Sequence, residues 1–474
     1  MLTLVIILLL FIFQTATIVI GEFRRPSKAV AWLLVLFIFP IIGFVMYYFL
    51  AKEYSQRSKV RRRGLHPPAE QQQRLVQGAP DTGADDLLSE LRQVPRLWGL
   101  LQHIPGAPLT SRNEVEILTN AETAYTAMLE ALERAERHIH FEFYTFRDDG
   151  AGRKFGEVLM RKARQGVQVR VICDGIGSHG LSGDYIRELQ EAGIELYRFL
   201  PPLIAWFDKR MNYRNHRKII VVDGLSGFVG GINIGDEYLG LDPKLGFWRD
   251  THVRLAGDAV YVLQATFLRD WMFVSGSKLE QESLFPAHSL PVGSPVQMIA
   301  SGPDACRDAI QEMFFSGIAA AHRRVLMTTP YFIPDPSIAM ALKTAAVSGV
   351  DVRIILPYKA DSRLVQYATR SFLHELMQAG VRFFLYRKGF IHAKVLIIDQ
   401  VMATVGTANM DMRSFFSNFE LNAVMFDSRT IARLEADFLT DLQECEELRL
   451  EQFERRSRVE KGKEVLARLL SPLF

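Results

Sequence analysis

The segment His216-Arg-Lys218-Ile-Ile-Val-Val-Asp223 recurs as His392-Ala-Lys394-Val-Leu-Ile-Ile-Asp399. Each copy is followed by a glycine-led turn with an asparagine, Gly230-Gly231-Ile-Asn233 and Gly406-Thr407-Ala-Asn409. His to Gly is 14 residues and His to Asn is 17 in both copies, so a histidine, an ammonium, a carboxylate and an amide are duplicated as a set. A neutral imidazole beside a permanent cation, present twice, suits a phosphodiester. Lysine offers a point charge to phosphate oxygens, and Asn233 and Asn409 can donate to non-bridging oxygens as charge builds. One histidine can attack phosphorus and carry a covalent intermediate. The other can protonate the leaving alkoxide and then deprotonate the incoming alcohol. That division of labour needs both motifs at one site, facing each other across a pseudo-twofold axis. The lysines supply the charge a metal would, so neither metal nor cofactor is expected.

On a strand successive side chains alternate faces. His216 and Lys218 therefore share a face and Asp223 takes the other, as do His392 and Lys394 against Asp399. The aspartates read as strand anchors, through a buried ion pair. A working histidine also needs its second ring nitrogen held by an acceptor. Glu420 downstream of the second motif and Asp250 after the first are the candidates, each open to the alternative of an ordinary surface carboxylate. Gly175-Ile-Gly177-Ser-His-Gly180 matches a dinucleotide fingerprint, but the second half has Pro357-Tyr-Lys-Ala-Asp-Ser362 in its place, so no nucleotide site is expected. His138 and His140 read as a half-exposed strand edge and not as metal ligands.

The elements that position these residues also repeat. His140 to Tyr144 alternates as a strand, a helical stretch runs to Arg164, and Gly166 to Ile172 reads as a buried strand. Val325 to Phe332, a helix to Val347 and Gly349 to Ile355 repeat the pattern. The expected fold class is α/β, two tandem α/β/α halves related by a pseudo-twofold. Expected boundaries are 111–290 and 291–440 for the halves and 441–474 for a helical C-terminal tail. Gly193 to His216 is 23 residues but Gly380 to His392 only 12. The extra Pro201-Pro-Leu203-Ile204-Ala-Trp206-Phe207 reads either as a loop dipping into a bilayer interface or as one packed on its own domain.

Residues 1–50 hold two apolar runs, about 2–20 and 29–50, each about as long as a membrane crossing needs. With only eight residues between them, they read as a two-helix transmembrane hairpin. Six cations follow the second run (Lys52 to Arg63) against Arg24, Arg25 and Lys28 in the loop, which favours a cytoplasmic main body. Residues 51–110, basic and then rich in Pro and Gln, read as a juxtamembrane linker with a short amphipathic helix over Leu87 to Leu101. A net charge of +3 gives no general electrostatic case for nucleic acid. Three scattered cysteines (Cys173, Cys306, Cys445) lack metal spacing and suit a reducing compartment.

The double motif with its trailing turns resembles the phospholipase D superfamily. The hairpin with Arg25-Pro26-Ser27, Tyr331-Phe-Ile-Pro-Asp335, Gly230 to Tyr238 and the terminal Arg468-Leu-Leu-Ser-Pro-Leu-Phe474 resemble its bacterial cardiolipin synthases. Thr407 stands where serine is commoner in that family and keeps the hydroxyl. The resemblance implies two phospholipase D-like halves and a phosphatidyl transfer from one phosphatidylglycerol to another, giving cardiolipin and glycerol. It favours His216 as nucleophile and His392 as acid/base, a choice the nearly equivalent motifs leave open. It further implies phosphatidylglycerol, cardiolipin and the plasma membrane of a bacterium as partners, in a multi-pass chain. A hydrolase using water, a transferase with another alcohol, and an inactive membrane scaffold are the alternatives. Motifs do not reveal the acceptor, because pocket shape and water exclusion decide it.

Overall fold

The computed structural model describes residues 2–22, 26–47, 88–201, 213–279, 282–305 and 307–471. The cationic run, most of the Pro/Gln-rich stretch, the Trp206 loop beyond Pro201, and Cys306 lie outside these residues. At the start stand α1 (Leu2–Gly21), α2 (Pro26–Ile38) and α3 (Pro40–Met46). The second apolar run, expected as one helix, breaks at Phe39 (φ −129°, ψ 76°). Pro40 has no N–H and bars its predecessor from the helical region. Ile18, Trp32, Leu36 and Tyr47 pack together, while Leu9, Phe13, Phe37 and Ile41 point outward. Among the described residues, no helix is long and apolar enough to cross a membrane.

From residue 88 the chain is folded, so the tether expected over 51–110 is shorter at its far end. Helices α4 (Ser89–Arg92) and α5 (Pro95–Gln102) place Leu88, Leu91, Leu97 and Leu101 in a buried cluster with Ile299 and Ile310 of the second half. The strand β1 (Leu109–Thr110) then joins the second half's sheet, and β2 (Asn113–Thr119) the first's. The first sheet continues with β3 (His138–Phe143), β4 (Gln168–Asp174) and β5 (Glu195–Phe199). Between its strands run α6 (Asn120–Glu133), α7 (Gly150–Arg164) and α8 (Gly183–Glu191). After β6 (Arg214–Asn215) come β7 (Ile219–Val222), β8 (Ser226–Gly230), β9 (Phe247–Arg249) and β10 (Thr251–Gly257), closed by α9 (Asp258–Ser275). The second half starts with β11 (Val296–Ser301), α10 (Ala309–Ala319), β12 (Arg324–Thr328) and β13 (Phe332–Ile333). It continues through α11 (Pro336–Val347), β14 (Asp351–Pro357), α12 (Arg363–Gln378), β15 (Arg382–Tyr386) and β16 (Gly389–Ile391). Then come β17 (Val395–Ile398), β18 (Met402–Gly406), β19 (Met410–Asp411), α13 (Met412–Phe416), β20 (Asn418–Met425) and α14 (Ser428–Gln443). The tail holds β21 (Cys445–Glu447), α15 (Leu450–Glu454) and α16 (Arg458–Leu470), the last packed on α12 and α2.

The sheet orders are the clearest mark of duplication. The first runs β2-β10-β8-β7-β3-β4-β5 and the second β11-β20-β18-β17-β12-β14-β15, with β1 and β21 added at the edges. In both, the first two strands of the β–helix–β repeat pair in parallel and the hairpin carrying the motif pairs antiparallel. Alternation divides the motif strands. Ile220 and Val222 face the helix-covered side of the first sheet, and Ile219 and Val221 face the second half. Val395 and Ile397 return that contact, so the inner faces share one core with α9 and α14.

The strand β3 is interior, between β7 and β4, and His138 and His140 are buried, contrary to the expected strand edge. Gln264 bonds the His140 ring at 2.8 Å, which stacks on Phe267.

Candidate active site

The two histidines reach one site because each half lends a short strand to the other. Asn215 of β6 sits opposite Phe419 of β20, and the His216 N–H donates to the Phe419 carbonyl at 2.9 Å. Reciprocally, Ile391 of β16 pairs with Arg249 of β9, and the His392 N–H donates to the Arg249 carbonyl at 2.7 Å.

This reciprocal pairing crosses the carboxylates. His216 Nδ1 lies 2.9 Å and 3.1 Å from the Glu420 oxygens, and His392 Nδ1 lies 2.7 Å from Asp250 Oδ2. Both carboxylates expected from the sequence are therefore on the imidazoles, but each holds the histidine of the opposite half. With an acceptor on Nδ1, that nitrogen carries the proton and Nε2 presents its lone pair. The supports are unequal. Glu420 also accepts from the Thr407 hydroxyl and from Asn418 Nδ2 at 3.1 Å, while Asp250 accepts from Trp248 Nε1 at 3.4 Å and the Thr251 N–H at 2.8 Å. At the position matching Thr407 stands Gly231, where a Cβ would fall 2.1 Å from an Asp250 oxygen. The shorter carboxylate thus runs against bare backbone, and the longer one is tied by a hydroxyl.

Lys218 Nζ donates to the His216 carbonyl at 2.7 Å, and Lys394 Nζ to the His392 carbonyl at 2.6 Å while lying 2.9 Å from the His392 ring. Burial and the nearby ammoniums dominate the electrostatics. Desolvation lowers His216 to about 4 against the pull of Glu420, and lowers His392 to about 3 with Lys394 adding to the effect. Both imidazoles are neutral at ordinary pH. Desolvation also lowers Lys218 to about 7 and Lys394 to about 8, the two ammoniums repelling each other at Lys218. Burial alone would raise Glu420, yet His216, Lys218 and the Thr407 hydroxyl together bring it down to about 2. Asp250 is likewise lowered, against burial, by His392 and Lys394.

The motif aspartates lie apart from this cluster. Asp223 accepts three backbone N–H bonds, from Glu136, Arg137 and His138, each at 2.8 Å. Asp399 accepts the equivalent three from His322, Arg323 and Arg324. Both sit at positive φ, +54° and +49°, a conformation Asp tolerates better than most residues. Strand anchoring is what they do, but through backbone amides and not the expected ion pair. Asn233 is engaged on both sides of its amide, by the Thr145 N–H and the Tyr238 hydroxyl. Asn409, also buried, keeps an unpartnered Oδ1.

Sequence reasoning passed over the walls. Tyr144 meets the His216 ring edge-on at 5.0 Å with Lys218 Nζ 5.4 Å from its own ring, and Trp248 packs on His392 at 5.0 Å. Tyr331 follows β12 as Tyr144 follows β3, and its hydroxyl donates to Asp361. That matched placement in the two repeats was the available signal. Gly177 is explained here too, since a Cβ there would lie 2.3 Å from the Tyr144 carbonyl. Arg217, the variable residue of the first motif, ties it to the second half by donating to the Glu420 and Ser301 carbonyls while paired with Asp270.

A family model described as "Cardiolipin synthase, PLD-like domain" matches residues 128–271 and 314–442, and one described as "Phospholipase_D-nuclease N-terminal" matches residues 3–52. A cardiolipin synthase of Halalkalibacterium halodurans is 42% identical over 455 residues, covering 96% of this chain and 90% of the relative. Cardiolipin synthase 2 of Bacillus anthracis is 41% identical over 464 residues, covering 98% and 90%. Among solved structures, phosphatidylserine synthase from Haemophilus influenzae superposes with a TM-score of 0.60 at 15% identity, over 80% of this chain and 96% of that one, a likeness of fold.

Proposed function

The chain belongs to the bacterial cardiolipin synthases of the phospholipase D superfamily and is a phosphatidyltransferase, and we propose that its crossed histidine–carboxylate pairs form a single transfer site for phosphatidylglycerol. In the first step His216 Nε2 attacks the phosphorus of one phosphatidylglycerol. An N–P bond forms, the P–O bond to the headgroup breaks, and His392 gives its proton to the leaving glycerol. In the second step His392 takes the proton back from a hydroxyl of a second phosphatidylglycerol. That oxygen attacks phosphorus, the N–P bond breaks, and cardiolipin leaves. One phosphodiester replaces another, so the exchange needs no nucleotide.

The observation that carries this reading is the reciprocal pairing of His216 with Glu420 and His392 with Asp250 around two buried ammoniums. His216 is the better-tied nucleophile, its carboxylate being fixed by Thr407 and Asn418. Burial and Lys394 keep His392 neutral by itself, and the arriving phosphodiester anion raises its proton affinity so that Nε2 takes up a proton from solvent before the first step. Lys218, Lys394 and the Asn409 amide, donating through Nδ2, then hold the non-bridging oxygens.

The protein is membrane-associated, and in our reading the N-terminal helices form a hairpin that spans the plasma membrane and leaves the main body in the cytoplasm. Outward-facing Leu9, Phe13, Phe37 and Ile41 support the hairpin, and the cations after it favour that orientation. Reporter fusions at residue 1 and after residue 63 should report the same cytoplasmic side.

The test of function is purified protein in mixed micelles with phosphatidylglycerol as the only lipid and EDTA present. Cardiolipin and glycerol should rise one to one, and His216→Ala and His392→Ala should each abolish both. Phosphatidic acid with glycerol and no cardiolipin would make water the acceptor. Activity near half in either variant would mean two independent sites.

A further inference from the structure

A cavity lies between the second half and the C-terminal tail. Its volume is about 260 Å³, near the lower end of the usual range for ligand sites. Leu356, Leu373, Leu385, Leu448 and Phe453 make its walls apolar, and α12 meets α15 across it. Pro330 and Ala360 line it as well; their chain neighbours Tyr331 and Asp361 are hydrogen-bonded to each other, and Asp361 is near enough to Lys394 to favour its charged form. The cavity thus backs onto the site without opening on either imidazole.

Its charged groups are mostly cationic. Arg370, Arg387 and Arg456 stand against one carboxylate, Glu446, which already pairs with Arg387. Arg456 is the unusual member. It lies over the Phe453 ring and reaches Glu464 through Nη2 at 3.2 Å, yet its Nε and Nη1 are buried without partners. A buried guanidinium with two unsatisfied N–H groups is costly unless an acceptor arrives. Nε–H lies on the Nη2 side of the planar fork and Nη1 on the opposite side, so they are two separate donors, each able to take one phosphate oxygen. A cation with unpartnered donors at an apolar cavity is the complement of an anionic amphiphile.

We propose that this cavity binds an anionic phospholipid at a site separate from the histidine pair, with a phosphate oxygen on Arg456 and Arg370 and the upper part of one acyl chain among Leu373, Leu385, Leu448 and Phe453. The cavity is too small for a whole lipid, so the remaining chain lies outside it, on the side of the exposed Gln452. The tail helix α16 continues from there to α2, exposing Val459, Val465, Leu466 and Leu469. A bound lipid would therefore stand between the N-terminal helices and the back of the reaction site. This inference rests on the cavity's own chemistry, and its test does not depend on turnover.

The probe is phosphatidylglycerol bearing a diazirine on one acyl chain, in excess phosphatidylcholine, with full-length protein carrying His216→Ala. After irradiation, labelled peptides should include Leu373 or the stretch from Leu448 to Phe453. Arg456→Gln should lower that labelling about tenfold, as loss of a charge-assisted contact predicts, while Arg456→Lys retains most of it. Labelling of α1 and α2 should not change. The exposed Gln452→Trp, which blocks the cavity without touching the buried pair, should lower it as well and covers the case in which Arg456→Gln fails to fold. Equal labelling by a phosphatidylcholine probe, or undiminished labelling in both variants, would overturn the proposal. Inorganic phosphate that displaces the probe completely would mark a free-phosphate site and overturn the lipid assignment.

Discussion

Glu420→Gln tests whether the carboxylates act on the histidines they touch. The substitution keeps the shape of the side chain and removes its charge. In the resting site Glu420 lies 2.9 Å and 3.1 Å from His216 Nδ1. As the nucleophile bonds to phosphorus, its ring becomes cationic. A full charge pair at about 3 Å, with an effective dielectric near 20, is worth about 5 kcal/mol. An amide retains a small part of this, so about 4 kcal/mol is lost from the transition state. At about 1.4 kcal/mol per decade, that is about a thousandfold in rate. Asp250→Asn should weaken His392 to a similar degree, but at a different moment. The assay uses a phosphatidyl donor with p-nitrophenol as headgroup, whose departure needs no proton. Asp250→Asn should then give a burst at near-normal rate followed by slow turnover, with phosphatidyl label accumulating on the protein. Glu420→Gln should slow the burst itself about a thousandfold. The opposite assignment, a lost burst in Asp250→Asn and a preserved one in Glu420→Gln, would refute the crossed roles.

Four further outcomes are expected. The kcat/KM for phosphatidylglycerol should fall as pH rises through about 7 to 8, because Lys218 and Lys394 lose their protons there in the free enzyme; a profile rising from pH 7 to 9 would contradict this. Lys218→Arg should move that limb upward at the cost of a lower plateau. Asp399→Ala should destabilise the fold by about 3 kcal/mol, since three backbone N–H groups lose a charged acceptor and alanine must take φ +49°; thermal unfolding followed by cardiolipin synthesis after cooling measures it, and Asp399→Asn should lose less. Thr407→Val should reduce kcat about tenfold by releasing Glu420, with Thr407→Ser close to wild type in the micelle assay.

The repeat made much of this legible in advance. Matched spacing located both motif strands, the β–helix–β units before them and the need for a single site. Glu420 and Asp250 were visible as acceptors, but their partners were not, because the crossing is fixed by β6 and β9, strands of two and three residues. So short a strand has no periodicity to detect, and its pairing is decided by the docking of the halves. The partners of Asp223 and Asp399, though not their anchoring role, were misjudged for a related reason. Backbone N–H groups on the preceding turn have no side-chain signature, so a carboxylate in search of partners suggested a cation. Leu88, Leu91, Leu97 and Leu101 sit in a stretch whose earlier part is polar, and their core lies across the second half. Composition averaged over 51–110 concealed them.

The exchange of carboxylates between halves also governs when the protein becomes reactive during its own synthesis. His216 leaves the ribosome 204 residues ahead of Glu420. A first half that folds on emergence holds a histidine with neither the acceptor that orients it nor the second ammonium. Synthesis runs at about 5–20 residues per second, so this interval lasts on the order of ten seconds or more. If the N-terminal helices have already entered the bilayer, the nascent domain spends that time beside a large excess of lipid without attacking it. A chain truncated before Lys394 would lack both the acceptor and the second ammonium for the same reason, which makes the order of residues along the gene a safeguard against unfinished copies.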